Sequence, residues 1–217
     1  MINFSIPMRF FRTRKKIFVI GSNKTGTTSL AAALKNLGYH LGSQVEAELL
    51  LDDWACRDFK RLIRYCHSAD AFQDIPFSLD YTFQALDAAF PGSKFILSVR
   101  DDADQWYRSL TRFHAKRRGF DRVPTADELK ADPYRWVGYQ WHASQLIYGI
   151  NEANVWDEEK YKRTYLQHIE AVQAYFKYRP NDLLVINLSE ADAMQKLCEF
   201  LGVPISDKAM PKLNSLS

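Results

Sequence analysis

The segment from Ile17 to Leu37 constrains the fold of this chain more than any other stretch. Its sequence is IFVIGSNKTGTTSLAAALKNL, in which an apolar run leads into Gly21, a short loop ends at Gly26, and a helix-forming stretch follows. A strand, a glycine-bounded loop and a helix in this order form the anion cradle of phosphate-binding α/β proteins. Backbone N–H groups and the positive end of the helix dipole then face the anion. The segment therefore predicts a phosphate-binding loop after the first strand.

The residues of this loop argue against a nucleoside triphosphate as its ligand. A nucleoside-triphosphate loop has the pattern G-x-x-x-x-G-K-[ST], in which a lysine follows the second glycine. Here Gly21 and Gly26 have the right spacing, but Thr27 stands at the lysine position and Lys24 lies before the second glycine. This arrangement favours a different phosphate-ended donor over ATP or GTP.

The loop is similar to the 5′-phosphosulfate loop of sulfotransferases that use 3′-phosphoadenosine 5′-phosphosulfate (PAPS). The resemblance implies that the lysine contacts the 5′-phosphate and the oxygen that bridges it to sulfur, and that the threonines cap the helix and hold phosphate oxygens. The donor-binding residues that it implies here are Lys24, Thr25, Gly26, Thr27, Thr28 and Ser29. Lys24 is also the residue expected to act in catalysis.

A second segment resembles the part of the same family that binds the 3′-phosphate. In that family a strand ends in an arginine, and a serine one to two helical turns later faces the same anion. The apolar run 94–99 is followed by Arg100, whose planar guanidinium suits a phosphate, and Ser109 would donate its hydroxyl. In the family pattern the serine lies eight residues after the arginine, and a proline occupies the second position after the arginine. In this chain Ser109 lies nine residues after Arg100, and Asp102 stands at the position of the proline. From the residues alone, Arg100 could instead pair with a carboxylate such as Asp104.

Sulfuryl transfer also needs a base within hydrogen-bond reach of the acceptor hydroxyl. Asp74 is the first candidate, because it ends a short apolar strand and precedes Ile75-Pro76, the setting in which the cytosolic sulfotransferases carry their catalytic histidine. Asp74 could instead cap the next helix or orient Lys24. The alternative bases are His40 and Glu46, the latter because heparan-type family members keep a glutamate base in that region. The remaining histidines are predicted to be surface or core residues, namely His67, His114, His142 and His168.

Apolar runs that predict strands alternate with helix-forming stretches along the chain. The predicted strands cover residues 17–20, 39–41, 71–74, 94–99 and 183–187. The predicted helices cover residues 27–37, 43–51, 54–66, 79–90, 103–113, 133–150, 157–178 and 193–201, with Ser189 as the last N-cap, and residues 114–131 are predicted to be a polar, basic loop. Strands that alternate with helices predict an α/β fold. We expect a three-layer P-loop-type fold whose central, mainly parallel sheet has about four to five strands covered by helices.

Length and composition set the remaining expectations. A chain of 217 residues suits one domain, here 1–217, with residues 1–15 as a basic lead-in to the first strand. A net charge of +3 is too small to indicate nucleic acid, and no apolar run approaches the ~18 residues of a membrane span. Three widely spaced cysteines form neither a metal motif nor a disulfide framework, which favours a reducing cytoplasm and no metal.

The sequence therefore predicts a PAPS-dependent sulfotransferase that acts by in-line transfer on a hydroxyl or amine of a small acceptor. The C-terminal residues 210–214 resemble the end of related sulfotransferases, where Lys212 would close over the 3′-phosphate or remain solvated. A P-loop nucleotide or small-molecule kinase is the first alternative, although Thr27 at the lysine position speaks against it. A non-catalytic nucleotide-binding module on the same fold is the second.

Overall fold

A four-stranded parallel sheet lies at the centre of the computed structural model, in which residues 15–206, 209–211 and 213 are described. The strands are β1 (Ile17–Val19), β2 (Ala71–Gln73), β3 (Lys94–Val99) and β4 (Leu183–Asn187), in the order β2-β1-β3-β4. Phe18 pairs with Phe72 on one side and with Phe95 on the other. The expected central sheet is confirmed, and within the described residues every strand pair is parallel.

Helices follow the strands and cover both faces of the sheet. In the described part of the chain they are α1 (Thr27–Asn36), α2 (Gln44–Glu48), α3 (Leu51–Ala55), α4 (Lys60–Tyr65), α5 (Thr82–Ala89), α6 (Ala103–Arg117), α7 (Ala126–Lys130), α8 (Tyr139–Tyr148), α9 (Glu158–Phe176) and α10 (Ala193–Leu201). None of these helices is both long and apolar enough to cross a membrane.

Successive side chains of each strand enter two separate apolar cores. Phe18 and Phe95 pack with residues of α5 and α9, such as Phe83 and Phe176, on one face of the sheet. Ile17, Val19 and Ile96 pack with residues of α1 and α10 on the other face. The alternation follows from the two-residue period of a strand, and burial on both faces explains why β1 and β3 are continuously apolar. The predicted three-layer α/β fold is thereby confirmed.

Several predicted elements are wrong in extent. Residues 39–41 contribute only a single bridge, Leu41 to Ala71, instead of a strand. The stretch 43–66 forms three short helices instead of two, since Arg57 adopts a left-handed conformation (φ 58°) between α3 and α4. Ser189 does not cap α10, which begins after Asp192, because its hydroxyl donates to Asn187 Oδ1 at 2.8 Å.

The largest error concerns the predicted basic loop 114–131. Helix α6 continues to Arg117, and α7 begins after Thr125, whose side chain and that of Glu128 form a reciprocal capping box. Conversely, residues 133–138 are not helical, because Gly138 has a φ of 90° and α8 begins only after it.

The sheet order brings the predicted site segments to one edge. The carboxyl end of β1 leads into residues 21–26, called the phosphate loop below, and the neighbouring strands β2 and β3 are followed directly by Asp74 and Arg100. Carboxyl ends of parallel strands form the ligand-binding edge of open α/β sheets. The phosphate loop therefore lies between Asp74 on one side and Arg100 on the other.

Candidate active site

The phosphate loop packs tightly against β3. A Cβ atom on Gly21 would lie 2.2 Å from Ser98 Oγ, so only glycine allows this approach. The Thr25 hydroxyl donates to the Ser22 carbonyl oxygen at 2.6 Å and lies 2.6 Å from Ser98 Oγ. Because the Thr25 hydrogen is used in the first bond, the Ser98 hydroxyl donates in the second. Thr25 is buried and thus anchors the loop to the sheet, while Gly26 (φ 99°) turns the chain into α1.

A cavity of about 280 Å³ lies between this loop and α6 and is called the main cavity here. Six of the predicted donor-binding residues line it, namely Lys24, Gly26, Thr27, Thr28, Arg100 and Ser109. Phe113, Lys116, Arg117 and Leu213 complete the lining. Ser109, Phe113 and Lys116 are spaced by four and three residues and so share one face of α6. The structure therefore brings the two predicted anion-binding segments to one positively charged cavity.

Two of the predicted donor-binding residues, Thr25 and Ser29, do not line the main cavity. Thr25 lies beneath the loop, as described above. Ser29 is buried in α1, where its hydroxyl oxygen accepts the backbone N–H of Leu213 at 3.1 Å and so holds the C-terminal segment beside the loop. Lys212 lies outside the described residues.

Arg100 joins the two anion-binding segments directly. Its Nε donates to the Lys24 carbonyl oxygen at 2.7 Å, and its backbone N–H donates to the Tyr165 hydroxyl at 3.0 Å. The alternative pairing with Asp104 is not observed, because Asp104 forms its ion pair with Lys162. Within the described part of the chain the terminal nitrogens of Arg100 have no carboxylate partner, so they remain available to an anion in the main cavity.

Lys24 has an unusual backbone and an unusual environment. It adopts a left-handed conformation (φ 71°), and its Nζ lies 3.2 Å from the centroid of the Phe113 ring. Burial lowers the pKa of the Lys24 ammonium to about 8, while Asp74 opposes this shift and Arg100 adds to it. An ammonium held over an aromatic ring keeps its charge in a partly dry cavity.

Asp74 shares the left-handed conformation of Lys24 (φ 64°). Its Oδ1 accepts the N–H of Ile75 at 3.0 Å, and its Oδ2 accepts the Thr27 hydroxyl at 3.5 Å. Burial and then the Glu48 carboxylate raise the pKa of Asp74 to about 6, although Ile75, Lys24 and Thr27 oppose the shift. Asp74 is therefore a stronger base than an ordinary aspartate and is still ionised at neutral pH.

The sequence also allowed Asp74 to cap the next helix or to orient Lys24, and the described residues show no direct contact for either role. Tyr81 occupies the N-cap position of the next helix, α5, and no side chain caps that helix among the residues described. No ion pair joins Asp74 to Lys24 in this part of the structure, where the Asp74 carboxylate accepts hydrogen bonds from Ile75 and Thr27.

A second, smaller cavity of about 80 Å³ adjoins the main one and is called the side cavity here. Lys24 and Phe113 line both cavities, so they form the boundary between them. The other residues that line the side cavity are Asn23, Glu48, Asp74, Ile75, Leu110, His114, Tyr134, Tyr139 and Gln140. Lys24 and Asp74, the two residues that we predicted to act in catalysis, thus both line this cavity.

His114 and Glu48 also line the side cavity, although neither was predicted as a catalytic or binding residue. His114 is only 8% exposed, and burial, with the charges of Arg118, Lys24 and Arg117, lowers its pKa to about 3, so the imidazole is neutral. Extending the predicted helix by one turn would have placed His114 on the same helix face as Leu110, which also lines the side cavity. Glu48 is 4% exposed and lies two residues beyond the predicted alternative base.

The alternative bases do not reach this site. His40 and Glu46 are both exposed, and neither lines the main or the side cavity. Glu46 instead lines a surface groove with residues of α4 such as Arg61.

Within the described residues, no group of three or more histidine, cysteine, aspartate or glutamate side chains could hold a metal ion.

Comparison with known proteins identifies the family of this chain. No curated protein matches the sequence. The family model described as a sulfotransferase domain matches residues 16–217, which include the phosphate loop, Asp74, Arg100 and the C-terminal segment. The chain therefore belongs to the sulfotransferase family.

Proposed function

We propose that this protein transfers the sulfuryl group of PAPS to a hydroxyl or amine of a small acceptor by in-line displacement. The observation that carries the proposal is the link between the two anion-binding segments, in which Arg100 Nε donates to the carbonyl oxygen of Lys24 and both residues line the main cavity. A donor with phosphate groups at both ends would engage both segments at once. A nucleoside triphosphate has no 3′-phosphate for Arg100, which argues against the kinase alternative.

Each residue has a defined part in the proposed reaction. The side chains of Arg100 and Ser109 hold the 3′-phosphate, and the phosphate loop with the start of α1 holds the 5′-phosphate. The Lys24 ammonium stabilises the negative charge that develops on the phosphate oxygen as its bond to sulfur breaks. Asp74 takes the proton of the acceptor while the new bond from the acceptor to sulfur forms. The leaving phosphate keeps the electron pair of the broken bond, so atoms and charges balance.

The two cavities support a separate position for each substrate. Because Lys24 borders both of them, we assign the donor to the main cavity and the reacting end of the acceptor to the side cavity, beside Asp74. The free thiols Cys56, Cys66 and Cys198 fit the cytoplasmic setting that we propose. Residues 1–217 would act there as one domain.

Donor binding and turnover test the proposal in two steps. Calorimetry with the desulfated product, 3′-phosphoadenosine 5′-phosphate, should show binding, and PAPS should be consumed with a panel of hydroxyl and amine acceptors. Asp74→Asn should keep product binding and lose turnover, whereas the exposed Glu46→Gln should keep both. Absence of product binding by the folded wild-type protein would refute the proposal, and Mg²⁺-dependent ATP binding would favour the kinase. Product binding without turnover on any acceptor would favour the non-catalytic module.

A further inference from the structure

A second carboxylate lies beside Asp74 in the side cavity. Glu48 is the last residue of α2, and its buried side chain forms an ion pair with Arg135. The other carboxylate oxygen, Oε1, accepts from Gln44 Nε2 and from the Tyr134 hydroxyl, each at 3.3 Å. Burial raises the pKa of Glu48, whereas Arg135 and both hydrogen bonds favour its ionised form. Glu48 is thus held in a fixed position as a buried anion.

Gln44 connects this anion to the backbone next to Asp74. Its Nε2 donates to Glu48 Oε1 at 3.3 Å and to the carbonyl oxygen of Ile75 at 3.0 Å. Ile75 also donates its own N–H to Asp74 Oδ1. A continuous set of hydrogen bonds therefore runs from Glu48 through Gln44 and Ile75 to the carboxylate of Asp74.

We propose, on the basis of the function proposed above, that Glu48 is a positioning residue that makes Asp74 a stronger proton acceptor. Two carboxylates that share a small, partly dry cavity repel each other when both are ionised, and binding a proton to one of them relieves this repulsion. Asp74 is the carboxylate that faces the acceptor, so it takes the proton. The ion pair with Arg135 keeps Glu48 charged and so maintains the repulsion.

The groups around Asp74 come from several elements. Those that act on it electrostatically or share its cavity are Lys24 of the phosphate loop, Glu48 of α2, His114 of α6, Tyr134 before α8, and Tyr139 and Tyr148 of α8. His114 is neutral, and burial raises the pKa of each tyrosine, so none of these four carries charge near pH 7. Lys24 opposes protonation of Asp74, whereas Glu48 is the anion of this set that favours it.

The titration of Asp74 tests this proposal without donor or acceptor. Protein labelled with ¹³C at aspartate and glutamate carboxyl carbons allows NMR titration of Asp74, whose resonance is absent from Asp74→Asn. Glu48→Gln should lower the midpoint of Asp74 by about one pH unit, a tenfold weaker affinity for the proton. The unpaired Arg135 of this variant would act in the same direction. Glu46→Gln, on the same helix but exposed, should leave the midpoint unchanged.

An unchanged or raised midpoint in Glu48→Gln would overturn the proposal. If that variant does not fold, Asp74→Asn gives the reciprocal measurement, because the coupling between two sites is the same in both directions. The midpoint of Glu48 should then fall by the same amount, and an unchanged midpoint would again overturn it. A protein inactive on every acceptor would count against the proposed function alone, since the titration requires no turnover.

Discussion

The pH dependence of donor use tests the two proposed catalytic side chains together. The proposed reaction requires Asp74 as a carboxylate and Lys24 as an ammonium, and burial brings their pKa values to about 6 and about 8. In the plot of kcat/KM against pH, the rate falls on the acid limb because protonation of Asp74 removes the base. It falls on the basic limb because deprotonation of Lys24 removes the cation. At pH 7 each group is roughly 90% in its active form, whereas at about pH 5 or pH 9 one group is only about 10% active. kcat/KM for PAPS should therefore follow a bell with a maximum near pH 7 and fall about tenfold at each of these limits.

Lys24→Met is the perturbation that isolates the basic limb. Methionine keeps the length of the side chain over the Phe113 ring and the backbone carbonyl that accepts from Arg100, so the cavity should persist. Loss of the cation should lower the maximal kcat/KM by about 10²–10³ and abolish the basic limb while the acid limb remains. Lys116→Met is the matched control, since Lys116 lines the main cavity but not the side cavity. It should weaken donor binding and retain both limbs.

Initial rates of PAPS consumption at subsaturating donor and constant ionic strength give kcat/KM between about pH 4.5 and pH 9.5. The reasoning would be refuted by a flat wild-type profile, because that would mean that neither group changes protonation in this range. A basic limb that persists in Lys24→Met would refute the assignment of that limb to Lys24. Calorimetry with the desulfated product at pH 7 serves as the control for folding and for donor binding.

Three further predictions concern donor binding and stability. Arg100→Lys keeps the charge but loses the planar fork, so calorimetry should show about 10- to 100-fold weaker binding of the desulfated product, whereas Asp104→Asn should show no change. Trp106→Phe removes the indole N–H that donates to the Asn23 carbonyl oxygen at 2.8 Å, and urea titration should show unfolding that is easier by about 1–3 kcal/mol; an unchanged midpoint would contradict this. Gly21→Ala forces a Cβ to 2.2 Å from Ser98 Oγ and 2.4 Å from the Ser98 carbonyl oxygen and should cost about 3 kcal/mol, so a fully stable variant would refute the described packing.

The strands and the phosphate loop were readable from the sequence because local chemistry determines them. Continuous apolar runs mark strands that are buried on both faces, and the glycines at both ends of the loop mark close backbone approaches. These features placed Lys24 and Arg100 at the right edge of the sheet. The end of α6 was not readable in the same way, since the basic stretch 114–117 resembles a loop although it is helical, with His114 directed inward.

The partner of Asp74 could not be identified from sequence, because it depends on tertiary packing. Glu46 and Glu48 are two residues apart on a five-residue helix, and residues at that spacing do not share a face. Only the packing of α2 against the turn after β2 decides which glutamate is buried. Arg135, which forms the ion pair with Glu48, comes from residues 133–138, which the sequence pattern assigned to a helix.

The left-handed backbone of Lys24 and Asp74 has a consequence for engineering this chain. A side chain beyond glycine at such a position costs of order 1 kcal/mol, and both residues hold this conformation beside the cavities. Replacement by glycine would relieve the cost and remove the functional group in the same step. Selection for thermal stability alone would therefore favour glycine at positions 24 and 74, and any stabilised library of this protein should be screened for sulfuryl transfer in parallel.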